Sequence, residues 1–143
     1  MLKNINPLLG PELLKVLRAM GHGDEIAIVD GNYPADTDAK RLVRMDGHSA
    51  ISILDAILSV MPLDDMVPDC AFRPAADNDP KNMQPIFTEF ETIVKKHEPN
   101  RHMTTLVGAE FYSRVKGCYA IVASSEPRLY GNIVLKKGVI HPK

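Results

Sequence analysis

Apolar positions along this chain fall into helical stripes and short continuous runs. Pro11-Glu12-Leu13-Leu14-Lys15-Val16-Leu17-Arg18-Ala19-Met20 carries apolar residues at 13, 14, 16, 17 and 20, with Pro11 at a first helical position and Gly21 as the stop. That pattern predicts a helix. Glu25-Ile26-Ala27-Ile28-Val29-Asp30 is an apolar run closed by an acid and followed by Gly31-Asn32-Tyr33-Pro34, which predicts a buried strand entering a loop. Arg41 to Met45 reads as a second strand, and Ile51, Ile53, Leu54, Ile57, Leu58 and Met61 mark a helix that Pro62 ends.

The stretch around Cys70-Ala71-Phe72 reads as a strand, and Ala75 to Pro80 has the Asp, Asn and Pro content of a loop. Ile86, Phe87, Phe90, Ile93 and Val94 predict an amphipathic helix to about His97, which Pro99 and Asn100 break. A strand over Met103 to Val107 and a helix from about Ala109 to Lys116 follow. Tyr119 to Ala123 and Asn132 to Leu135 supply the last two strands. Helices alternating with short apolar strands imply an α/β fold. We expect a single domain over residues 1–143, with three α/β/α layers and a mainly parallel sheet covered on both faces.

Composition narrows the function. Apolar residues make up 45% of the 143-residue chain, enough for one buried core. The formal net charge is -1 and no Lys/Arg run exceeds two residues, so nucleic acid is not an expected partner. No apolar run reaches the ~20 residues that span a bilayer, and the start lacks the features of a secretory signal, which predicts a cytoplasmic protein with no membrane partner. Cys70 and Cys118 match no CxxC or metal spacing and are expected to be reduced, buried thiols. His48, His97, His102 and His141 form no HxH, HxxxH or HExxH pattern, so no metal site is expected. GxGxxG, GxxxxGK[ST] and GxSxG are absent as well.

Three places could carry chemistry. His22 stands between Gly21 and Gly23, where nothing crowds the ring, and an imidazole with an ordinary pKa of ~6.5 exchanges protons near neutral pH. The alternative is a histidine serving the helix C-terminus. Asp30 closes a buried strand, where open α/β sheets place ligand groups; the alternative is a carboxylate that starts the Asp30-Gly31-Asn32 turn. Spacing alone does not decide whether the strand carries His22 and Asp30 apart or the two loops fold together. Tyr130-Gly131-Asn132 offers a phenol, an open backbone and an amide suited to sugar hydroxyls; taken alone it is a turn.

Taken jointly, the segments from Pro11 to Leu17 and Met20 to Glu25 resemble the opening of L-fucose mutarotases, in the L-fucose mutarotase and D-ribose pyranase family. Asp30 to Pro34, Arg44-Met45-Asp46-Gly47, Pro62-Leu63-Asp64, Phe111-Tyr112, Ala120-Ile121-Val122 and Tyr130 to Val139 continue the likeness, which thins between about 65 and 105. The resemblance implies an isomerase that interconverts anomers of a monosaccharide such as L-fucose by acid-base ring opening, without a cofactor. It implies His22 as proton donor, with Asp30, Tyr130, Gly131 and Asn132 binding sugar. It also implies a homo-oligomer, a decameric ring whose neighbouring subunits help build each site. Relatives carry a basic residue where this chain has Gly108; Arg101, His102 and Glu110 are the nearby substitutes. That departure keeps a non-catalytic monosaccharide-binding protein of the same fold as the alternative.

Overall fold

The computed structural model describes residues 1–143. In chain order the elements are α1 (Pro11–Ala19), β1 (Glu25–Val29), α2 (Ala35–Asp38), β2 (Leu42–Arg44), α3 (Ala50–Leu58), β3 (Ala71–Pro74), α4 (Pro85–His97), β4 (Thr104–Leu106), α5 (Ala109–Gly117), β5 (Ala120–Ala123) and β6 (Ile133–Lys136). The six strands form one sheet in the order β2-β5-β1-β6-β3-β4. Five run parallel to one another, and β6, the fourth in that order, runs against both of its neighbours, β1 and β3.

Alternation along the strands sends side chains to two cores. Ile26, Ile28, Val122, Ile133 and Leu135 face one side, where α1, α3 and α4 cover them. Ala27, Val29, Ile121, Ala123 and Val134 face the other, under Phe111 and Val115 of α5 and Ala35 of α2. The expected three layers and mainly parallel sheet are therefore present. Phe87, Phe90 and Phe111 are fully buried, and each contributes about 1.5–3 kcal/mol relative to exposure.

The elements read from the apolar pattern are all present, with ends shifted by no more than three residues. Two short ones are additional. Pro34 precedes α2, whose four residues are too few and too polar to show a stripe, and a 3-10 turn spans Ala76–Asn78 inside the expected loop. Pro11 and Pro85 sit in the first turns of α1 and α4, where no backbone N–H is needed, and Ser49 caps α3 by accepting from the Ser52 N–H at 3.1 Å. No helix is long and apolar enough to cross a membrane.

Past β6 the chain closes against the segment before β3. Leu63 bridges Lys137, the Gly138 N–H donates to Pro62 O at 2.8 Å, and a Cβ on Gly138 would stand 2.4 Å from Leu63 O. Gly138→Ala is expected to cost about 1–3 kcal/mol in guanidinium unfolding, because the obstacle is backbone. Gly117→Ala, with open space at its Cβ, should change stability by no more than about 0.5 kcal/mol.

Candidate functional site

Asp30 lies one residue beyond β1, at the carboxyl end of the parallel strands. The segment from β5 to β6 must cross over that end, because β1 separates the two strands in the sheet. Its crossing is fixed by hydrogen bonds. Ser124 Oγ donates to Val29 O at 2.6 Å, the Gly31 N–H donates to Glu126 O at 2.9 Å, and the Asp30 N–H donates to Asn132 Oδ1 at 2.8 Å. Asn132 Nδ2 returns a bond to Asp30 Oδ2 at 3.1 Å, and Asp30 Oδ1 accepts from the Asn32 N–H at 2.8 Å. Both side chains are buried, so the carboxylate is held rigidly while each oxygen keeps a further lone pair.

Above this pair opens a cavity of about 490 Å³, a size typical of small-molecule sites. Asp30 and Asn132 line its floor, Tyr33, Tyr112 and Tyr130 its sides, and Lys116 supplies its cation. Tyr33 and Tyr112 stack with ring centroids 6.3 Å apart. Tyr33 donates to Asp38 Oδ2 at 2.8 Å and Tyr130 to Asp77 Oδ1 at 2.7 Å. Burial drives the Tyr33 phenol well above its ordinary pKa, with Asp38 adding to the shift, and burial likewise raises Tyr112. The bond to Asp77 raises Tyr130. All three therefore stay protonated near neutrality and present hydroxyls, not phenolates.

Gly131 does not line the cavity. It lies beneath, where a Cβ would meet Glu126 Cγ at 2.9 Å and Ile86 Cδ1 at 3.0 Å, so its role is to let the backbone descend.

His22 is elsewhere. It precedes β1, and the five residues of that strand carry the chain roughly 16 Å before Asp30 is reached. The strand thus separates the two groups within one chain. There His22 Nε2 lies 3.0 Å from Asp64 Oδ1, which also accepts from the Met66 N–H at 3.0 Å. The imidazole is 43% exposed and the carboxylate only 3%. Burial alone would raise the Asp64 pKa, but the Met66 N–H, His22 and Lys136 outweigh it and hold the carboxyl below its ordinary range. Asp64 is thus ionised near neutrality. Its stabilising contribution is complete above the unfolded carboxylate range and is lost as pH falls through the folded value.

The His22 loop is tied to the end of β6. Lys137 Nζ donates to Leu17 O at 2.7 Å and Met20 O at 2.5 Å, closing α1, while the Gly23 N–H donates to Lys137 O and the Lys137 N–H to Asp24 O, each at 2.9 Å.

Of the substitutes considered for the Gly108 position, Arg101 and His102 precede β4 and so sit at the opposite end of the sheet from Gly108, which follows it. Arg101 binds Val67 O at 2.6 Å and Cys70 Sγ at 3.1 Å, and His102 faces Asp69. Glu110 is exposed and outside the cavity. Lys116 is the cation actually present, and Tyr112 four residues earlier lies on the same face of α5; that spacing was the available signal for both. Asp64 had no local signal, since its partner is 42 residues away. Cys70 and Cys118 are free and buried; burial raises both thiols, Cys118 to about 12.

Comparison with known proteins agrees along nearly the whole chain. Human fucose mutarotase is 38% identical over 145 aligned positions, covering 97% of this chain and 94% of that one. The fucose mutarotase of Streptococcus pneumoniae, solved in complex with L-fucose, is 39% identical, with a TM-score of 0.89 over 98% of this chain and 100% of its own. FucU from Bifidobacterium longum is 39% identical, with a TM-score of 0.91 over 97% and 100%. With residues 3–140 also matched by the model of the RbsD / FucU transport protein family, the chain belongs to that family.

Proposed function

We propose that this protein is a monosaccharide mutarotase, an isomerase that opens and recloses the ring of an aldose to interconvert its anomers. The observation that carries this reading is the near-complete similarity to fucose mutarotases, one of them solved with L-fucose. L-fucose or a related aldose is accordingly the proposed substrate.

Ring opening needs a proton delivered to the endocyclic oxygen and another removed from the anomeric hydroxyl. His22 is the proposed acid. With Asp64 at Nε2, Nδ1 is the nitrogen left to reach substrate, and the buried carboxylate fixes the orientation of the ring. Asp30, Tyr130 and Asn132 are the proposed sugar contacts, Gly131 shapes the loop that carries two of them, and Lys116 offers the cation that Gly108 does not. A lone carboxylate with its remaining lone pairs suits Asp30 to accept from a sugar hydroxyl.

Acid and pocket lie too far apart in one chain for a single pyranose ring to touch both. The reading therefore requires self-association that brings His22–Asp64 of one copy to the Asp30–Asn132 cavity of another, as in the decameric ring that the family resemblance implies. We place the protein in the cytoplasm, where its two buried thiols would stay reduced. Non-catalytic sugar binding is the second reading, favoured by Gly108: its backbone at φ 63°, ψ -139° excludes a basic side chain from that position without rearrangement.

Magnetisation transfer between the two anomeric NMR signals of L-fucose separates the readings, since only a mutarotase accelerates exchange over the blank. His22→Ala should lower that acceleration by about 10²–10⁴-fold with circular dichroism unchanged, and Asp64→Asn should fall between the two. A folded His22→Ala variant at the wild-type rate would remove His22 from the mechanism.

A shared site makes a second expectation. His22→Ala and Asp30→Asn should each be inactive alone, yet co-refolded mixtures should recover roughly a quarter of wild-type exchange, because random assembly pairs intact halves at that frequency. No recovery would place the whole site within one chain.

A further inference from the structure

Glu126 is a buried carboxylate to which the reaction as described assigns no part. Its exposure is 2%, and it is not among the cavity-lining residues. Burial alone would raise its pKa, but the guanidinium and N–H of Arg128, together with the Ala50 N–H, outweigh burial and keep it ionised.

Two segments of the site meet on this residue. Its carboxylate accepts from Arg128 Nε at 3.1 Å and from the Arg128 N–H and Nη2 at 3.3 Å. Its carbonyl receives the Gly31 N–H at 2.9 Å, fixing the turn that follows Asp30. Its Cγ fills the space that a Cβ on Gly131 would need. Arg128 is held in turn by Glu89 of α4. Between Arg128 and Asn132 stands Tyr130, with φ at 61°, a left-handed backbone uncommon outside glycine that persists only where neighbours impose it.

We propose that Glu126 is a positioning residue of the sugar pocket: by joining the Asp30–Gly31 turn to the Arg128–Asn132 segment, it sets Tyr130 and Asn132 where they receive sugar, without touching the sugar. The inference rests on the sugar-binding reading of that cavity. A merely structural Glu126 would instead lower stability and leave the behaviour of folded protein unchanged.

Glu126→Gln keeps the side-chain size against Gly131 and removes the charge that gathers Arg128. Affinity for L-fucose by NMR titration and KM in the exchange assay should each weaken about tenfold, while kcat stays within about twofold because His22 and Asp64 are untouched. Arg128→Gln, in a half-exposed residue, should reproduce the effect, and the double variant should be no worse than either single one. Wild-type KM and affinity in folded Glu126→Gln would overturn the proposal, as would a loss of kcat in proportion to a falling Tm. Should Glu126→Gln fail to fold, Arg128→Gln decides alone. A wild-type chain that binds L-fucose without speeding exchange would sink the mutarotase reading and leave the affinity ratio to judge Glu126; a wild type with no affinity for the sugar sinks both.

Discussion

One antiparallel strand organises the molecule. β6 lies between two parallel blocks, pairing with β1 and β3, and its two ends therefore stand at opposite ends of every parallel strand. Asn132, just before it, reaches back to Asp30 on the cavity floor. Lys137, just after it, closes α1 with its ammonium and receives the His22 loop with its backbone. Had the final strand run parallel, its crossover would have carried the chain to the other end of the sheet before pairing began. Tyr130-Gly131-Asn132 would then be far from Asp30. The reversal keeps the β5–β6 segment at the carboxyl end, where it must pass over β1, and that passage builds the pocket.

The chemistry of the two ends is complementary. At one end an ionised Asp64 backs a half-exposed imidazole, with little shape to grip a ligand. At the other, phenols held protonated by burial and by carboxylate bonds surround a fixed carboxylate-amide pair, an arrangement rich in hydrogen bonds. Exposed apolar side chains border both: Leu129 rims the cavity at 66% exposure, while Val60 and Ile140 lie beside Lys137 at 38% and 78%. Large apolar residues are thus exposed at both ends of the sheet.

Much of this was legible before the structure. The stripe from Leu13 to Met20, the run from Ile26 to Val29 and the set Phe87, Phe90 and Val94 each carry a strong period, and each became the element that period demands. Asp30 was legible as the acid closing a buried strand and Asn132 as the amide just before the last one, and the two bind each other across 102 residues. What stayed hidden was relational. A four-residue strand encodes apolar faces but not its direction, so the reversal of β6 had no local signature. Asp64 pairs with His22, and Glu126 with the distant Gly31 turn, through contacts that no spacing announces. The separation of His22 from Asp30 followed only once β1 was seen as an extended rod with no return between them.

Backbone strain supplies the remaining constraint on specificity. Asp77, Asn78, Gly108 and Tyr130 all have positive φ, and all four line one cavity of about 250 Å³ that shares Tyr112 and Tyr130 with the main pocket. Left-handed residues gather at this wall because its turns are tight and are pinned from outside, by the Tyr130–Asp77 bond and by the packing of Glu126 under Gly131. Gly108 therefore differs from a basic residue in more than its missing side chain. The space beside it is open, with Asn78 Oδ1 the nearest atom at 3.8 Å, yet its φ of 63° strains any L side chain. Restoring a basic contact there would require the start of α5 to move. A lysine two turns along the same helix meets the pocket without that change, so the position of the cation and the shape of the wall are linked.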